Sequence, residues 1–88
     1  MGKYKVFFKK SVEKDFKDIP KDILLKILDK IKNLQNDPRP TRSEKLTGQE
    51  RYRIRQGTYR IVYSIQDLEL TVWVVKIGHR REIYRSST

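Results

Sequence analysis

The sequence predicts an α+β fold: an antiparallel-dominated four-stranded sheet with two N-terminal helices on one face, in the order β-α-α-β-β-β. Three observations carry this. Ile23, Leu24, Ile27, Leu28, Ile31 and Leu34 form one apolar stripe at helical spacing. From Arg51 the period changes to two, with Tyr52, Ile54, Tyr59, Ile61 and Tyr63 alternating with mostly polar residues. The run Leu70–Ile77 is apolar at nearly every position, as expected of a central strand covered on both sides.

The elements follow in chain order. Tyr4 to Phe8 is rich in aromatic and β-branched residues and reads as a short strand. Ser11 is placed to cap a helix running to about Asp18, with Val12, Phe16 and Ile19 on one stripe. Pro20 suits the first turn of a second helix, where its missing N–H needs no partner. Asn36-Asp37-Pro38-Arg39-Pro40 ends that helix, and residues 37–49 read as a loop with a turn at Gly48. Gln56-Gly57-Thr58 supplies the turn of a hairpin, Gln66-Asp67 begins another, and Gly78 ends the last strand.

The chain of 88 residues is one domain, 1–88, since two would not fit. It has no Cys, so it carries no disulfide, thiol nucleophile or cysteine metal site, and a reducing compartment is allowed. No apolar run approaches the ~18 residues of a membrane span, and no signal-peptide core follows Met1. The expectation is a cytoplasmic protein with no membrane contact.

A net charge of +10 points to a polyanionic partner, most often nucleic acid. The two basic residue types are segregated. Ten of the twelve Lys precede residue 33, and all nine Arg lie from Arg39 onward. Lysine is a hydrated point charge, whereas arginine is a planar fork that grips phosphate at two points. The second half therefore reads as a surface that holds an oxyanion in a set geometry.

Side chains alternate across a strand. If the hairpin aromatics and isoleucines face the helices, Arg53, Arg55 and Arg60 share the opposite face. On alternation alone, that face is either an anion clamp or the solvated side of a half-exposed sheet. The tail adds His79, Arg80 and Arg81 at the sheet edge, with Tyr84 spaced to fold back as a base-stacking platform. The single His, with no paired carboxylates beside it, argues against a metal site. Gly-rich phosphate loops and Ser-His-Asp spacing are absent.

KLTGQERYRIRQGTYRIVYSI (Lys45–Ile65), followed by VVKIGHRREIYR (Val74–Arg85), resembles the RelE/ParE toxin superfamily, most of all its RelE branch. The resemblance spans nearly the whole chain. It implies a RelE-like fold and a small endoribonuclease that cuts mRNA in the ribosomal A site. The ribose 2′-hydroxyl would attack the adjacent phosphate without metal or other cofactor. A RelB-like antitoxin would neutralise the toxin; the exposed apolar parts of the second helix and first strand are its expected docking sites. Carried over by position, Arg53, Arg55, Arg60, Arg80 and Tyr84 would be catalytic. Lys45, Arg51, His79 and Arg81 would contact RNA.

One departure bears on mechanism. The best-known relatives carry lysine at the positions of Arg53 and Arg55, and arginine does not give up its proton. The general base is therefore open: His79, of the residue type that titrates near neutrality, Glu82, a ribosomal group, or none. Two other readings stay open, a ParE-like inhibitor of DNA gyrase and a non-catalytic RNA- or protein-binding module.

Overall fold

In a computed structural model, which describes residues 3–46, 48 and 50–81, the elements are β1 (Lys5–Phe8), α1 (Lys10–Lys17), α2 (Lys21–Asn33), β2 (Glu44–Lys45), β3 (Arg51–Gln56), β4 (Tyr59–Gln66) and β5 (Thr71–His79). They form one five-stranded sheet in the order β1-β5-β4-β3-β2. The expected class and helices are present. The expected four strands become five because Glu44–Lys45, inside the expected 37–49 loop, pairs antiparallel with β3.

The β3–β4 hairpin closes through Gly57 and Thr58, between the paired Gln56 and Tyr59. Gly57 sits at φ 60, a conformation that residues with a Cβ rarely adopt. The register pairs Tyr52 with Tyr63 and Ile54 with Ile61. These four face the helices. The same register pairs Arg53 with Val62 and Arg55 with Arg60 on the other face.

β4 and β5 pair antiparallel with an irregularity: Val62 lies opposite Lys76, but Tyr63 lies opposite Val74. Val75 is the extra residue, and it inverts the alternation of β5. Val72 and Val74 point into the core before it, and Ile77 does so after it. This corrects the reading of Leu70–Ile77 as a strand covered on both sides. The bulge makes the apolar run look continuous, while Trp73 stays 37% exposed. The strand also runs through Gly78 to His79, and Leu70 belongs to the preceding turn at φ 49.

β1 joins β5 in parallel, Lys5 opposite Thr71 to Phe8 opposite Val74. The ladder continues one step, since Lys9 N–H donates to the Val74 carbonyl at 3.0 Å. That step makes Lys9, not Ser11, the N-cap of α1; it caps without a side-chain hydrogen bond. α1 then covers the edge of β5 beyond the end of β1. Asp15 accepts Ile77 N–H at 3.1 Å and the Lys76 ammonium at 2.9 Å, so a backbone donor of that edge is satisfied within the chain. Pro20 is the N-cap of α2, one place before the first turn.

The core is a single cluster in which Val12, Ile19, Ile27, Ile31 and Leu34 meet Ile54, Ile61, Tyr63, Val72, Val74 and Ile77. Leu25, off the stripe, is 60% exposed. The segment after α2 is clasped to the sheet by polar contacts. The buried Tyr63 hydroxyl donates to the Pro38 carbonyl at 2.7 Å. Arg39 grips both oxygens of Asp67, at 3.2 and 2.8 Å, and its Nε donates to the Tyr52 hydroxyl. The clasp holds the segment leading into β2, and β2 places Glu44. Among the described residues no helix is long and apolar enough to cross a membrane.

Candidate functional site

The face of the sheet away from the helices presents its residues in rows. At the hairpin end, Arg55, Arg60 and Gly78 lie side by side across β3, β4 and β5. Gly78 puts no side chain opposite Arg60. The next row of the same parity holds Glu44, Arg53, Val62 and Lys76. The row after that holds Arg51, Ser64, Trp73 and Phe7. Arg51, Arg53, Arg55 and Arg60 thus share one side of one hairpin.

Glu44 stands between two of these guanidiniums. Its carboxylate accepts from Arg53 at 2.8 Å and from Arg55 at 3.2 Å. The hydrogen bond and charge of Arg53, with a smaller contribution from Arg55, hold its carboxyl below the usual carboxylate range. The pair of forks is therefore already set at ion-pair distance on an anion. The same charges make Glu44 a weak proton acceptor.

Arg60 is only 7% exposed. Its guanidinium donates to the carbonyls of Gly57 and Tyr59, both at 3.1 Å. These bonds orient the side chain over the turn and satisfy part of a buried charge. Arg80 is exposed, and its backbone N–H donates to the Thr58 carbonyl at 2.8 Å. The start of the tail is thereby tied to the same turn.

Other residues named from sequence fall elsewhere. Lys45 is opposite Tyr52, the parity of the helix side, and its ammonium lies 3.8 Å from Glu50. His79 is opposite Tyr59, again on helix-side parity. Its ring meets the Tyr59 ring edge-on at 5.9 Å, and it shares a small recess with Asp15, Asp18 and Ile19. Neither residue is brought to the arginine group. A one-residue step across a strand puts them on the wrong side of the sheet. Arg81 is exposed, with its N–H 3.4 Å from His79 Nδ1. Glu82 and Tyr84 lie outside the described residues. Glu44 is the residue that sequence reasoning missed, because a lone Glu in a loop carries no signal until β2 pairs with β3.

The model of the family described as ParE toxin of type II toxin–antitoxin system, parDE, matches residues 6–84. The chain belongs to the RelE/ParE superfamily of toxins. This toxin is 33% identical over 93% of its length to the toxin RelG of Mycobacterium tuberculosis, of which 97% is covered. It is 31% identical over 96% of its length to the putative toxin RelE1 of Methanocaldococcus jannaschii, of which 98% is covered. Its structure resembles the archaeal RelE–RelB complex from Pyrococcus horikoshii with a TM-score of 0.76 at 27% identity, covering 89% of this chain and 96% of that one. The toxin is thus RelE-type, and its two helices and mixed sheet are those of the RelE fold.

Proposed function

We propose that this toxin is a ribosome-dependent, metal-independent endoribonuclease that cleaves mRNA in the ribosomal A site and so stops translation. The observation that supports it most is the Glu44 carboxylate gripped by Arg53 and Arg55, with Arg60 in register beside Arg55. In the reaction a scissile phosphate replaces that carboxylate. The ribose 2′-oxygen forms a bond to phosphorus in line with the leaving 5′-oxygen. The P–O5′ bond breaks, leaving a 2′,3′-cyclic phosphate and a 5′-hydroxyl. One proton leaves the 2′-hydroxyl and one is gained at the 5′-oxygen.

The arginines neutralise charge that grows on the equatorial phosphate oxygens. One such donor is worth about 100- to 1000-fold, and a positioned base about 100- to 10,000-fold. Three or four arginines therefore outweigh a missing base. His79 faces the helix side and Glu44 is a weak acceptor, so we assign no base among the described residues. Arg80 extends the clamp from the turn, and Tyr84 supplies the stacking surface for the adjoining base. The partner that silences the toxin is an acidic, RelB-like antitoxin, as a net charge of +10 favours.

A toeprint of mRNA on purified translating ribosomes tests the reading. Wild type gives cleavage in the A-site codon; Arg55→Ala and Arg80→Ala each reduce it by at least about tenfold while remaining folded. Cleavage at the wild-type rate in both variants removes the reading. The match to the ParE model carries the alternative of a gyrase-directed toxin, which breaks DNA before translation stops.

A further inference from the structure

The open face has a second feature that the arginine group does not use. Phe7 and Trp73 are register partners across β1 and β5. Their rings stack with centroids 5.1 Å apart and planes inclined by 29°. Both stay in water, at 44% and 37% exposure, although large aromatic side chains ordinarily go into a core. Beside Trp73 lies an open concavity of about 430 Å³ lined by Lys9, Glu50, Arg51, Ser64, Gln66 and Val75. Arg51, Ser64 and Trp73 form one row across three strands.

Exposed rings flanked by cations match what a single-stranded nucleotide needs: a π surface for the base and positive charge for the phosphate. A purely apolar partner would use the rings but leave Lys9 and Arg51 desolvated. The row is also continuous with the arginine group. Arg51 is four residues from Arg55 along β3, about 13 Å at the strand rise, which a few nucleotides of extended strand span.

We propose that Phe7 and Trp73 form a stacking platform for a nucleotide a few positions from the cleaved linkage, with Arg51 and Lys9 holding its phosphates. The subsite deepens, and rests on, the nuclease reading of the arginine group. It lies two rows along the open face from Arg55, Arg60 and Gly78 at the hairpin end.

Trp73 is the only tryptophan of the chain, so its emission reports this subsite alone. The full chain is titrated at low salt with a 2′-O-methyl hexanucleotide, which binds but is not cleaved. Saturable quenching that weakens with salt is expected. Trp73→Ala, checked for folding by circular dichroism, weakens binding of a labelled copy between about fivefold and a hundredfold, and Trp73→Phe restores most of it. Unchanged Trp73 emission, or equal binding by the alanine variant, overturns the platform. If mRNA is still cut on ribosomes, the nuclease reading survives that result. Quenching by the oligonucleotide without cleavage on ribosomes supports the platform as an RNA site and removes the nuclease reading. An emission change produced by a Glu- and Leu-rich peptide but not by the oligonucleotide also overturns it, in favour of protein docking.

Discussion

The β3–β4 hairpin is two surfaces made from one stretch of chain. On its helix side, Ile54, Ile61 and Tyr63 are 3%, 0% and 0% exposed and lock into the core. On its other side, the same strands hold Arg53 and Arg55 against Glu44 and aim Arg60 over the turn. Volume constrains the first surface and charge geometry the second. Substitutions on the helix side should therefore cost stability, and those on the open side should cost function.

The largest effect expected is on the helix side. Ile61 is 0% exposed at the centre of the cluster. Ile61→Ala removes buried methyl groups and leaves a cavity, costing about 2–5 kcal/mol. Urea unfolding reads this directly. Activity per folded molecule should stay at the wild-type level; a catalytic loss in the folded fraction would break the division between the two surfaces.

Arg60 is the residue where the division is least clean, because it is buried and yet belongs to the open side. Arg60→Ala should reduce mRNA cleavage by about 100- to 1000-fold. It also deletes contacts to Gly57 and Tyr59, at a cost of about 1–3 kcal/mol in stability. Arg60→Lys separates the two effects. It keeps the charge but loses the fork, so cleavage on ribosomes should remain well below wild type at a temperature where the variant is folded.

Tyr63 tests the helix side through its polar end. Burial pushes its hydroxyl from an ordinary 10.0 up to about 12. A raised value means that the fold favours the neutral form. Its stabilising contribution is whole below pH 10 and is lost as pH rises through about 12. Tyr63→Phe should flatten that alkaline limb of the unfolding midpoint. At neutral pH it should cost about 1–3 kcal/mol, because the Pro38 carbonyl loses its donor.

Strand parity made much of this readable from the sequence. Once Gln56-Gly57-Thr58 closes a hairpin, the common face of Arg53, Arg55 and Arg60 follows. So does the stripe of α2, whose Ile27 and Ile31 are buried as their spacing requires. What escaped depends on long-range pairing. Val75 changes the parity of β5 only because Tyr63 meets Val74, and nothing local marks the step. Glu44 acquires its role only from a two-residue strand in what reads as loop. His79 read as a neighbour of Arg80, but adjacent residues at the end of a strand face opposite sides. Ser11 lost the cap of α1 because the β1 ladder reaches Lys9 first.

The smallest effects expected come from two carboxylates, one for each side of the comparison. Glu44 is held low mainly by Arg53, and Asp67 mainly by its hydrogen bond to Arg39 and then by that to Tyr4. In both, the folded value lies below the unfolded one. Each therefore stabilises the fold above the ordinary carboxylate value, and the contribution is lost as pH falls through the lowered value. Glu44→Gln and Asp67→Asn should each flatten the acid limb of the unfolding midpoint. They share no partner, so the double variant should show the sum of the two. Oligonucleotide binding then separates them. Glu44 competes with phosphate for Arg53 and Arg55, so Glu44→Gln should tighten binding of an uncleavable RNA at neutral pH. Asp67 clasps the segment after α2 to the β4–β5 turn and touches neither Arg53 nor Arg55, so Asp67→Asn should change RNA affinity much less, and only through the placement of β2. Equal affinities in both variants would mean that Glu44 does not stand in the path of the phosphate.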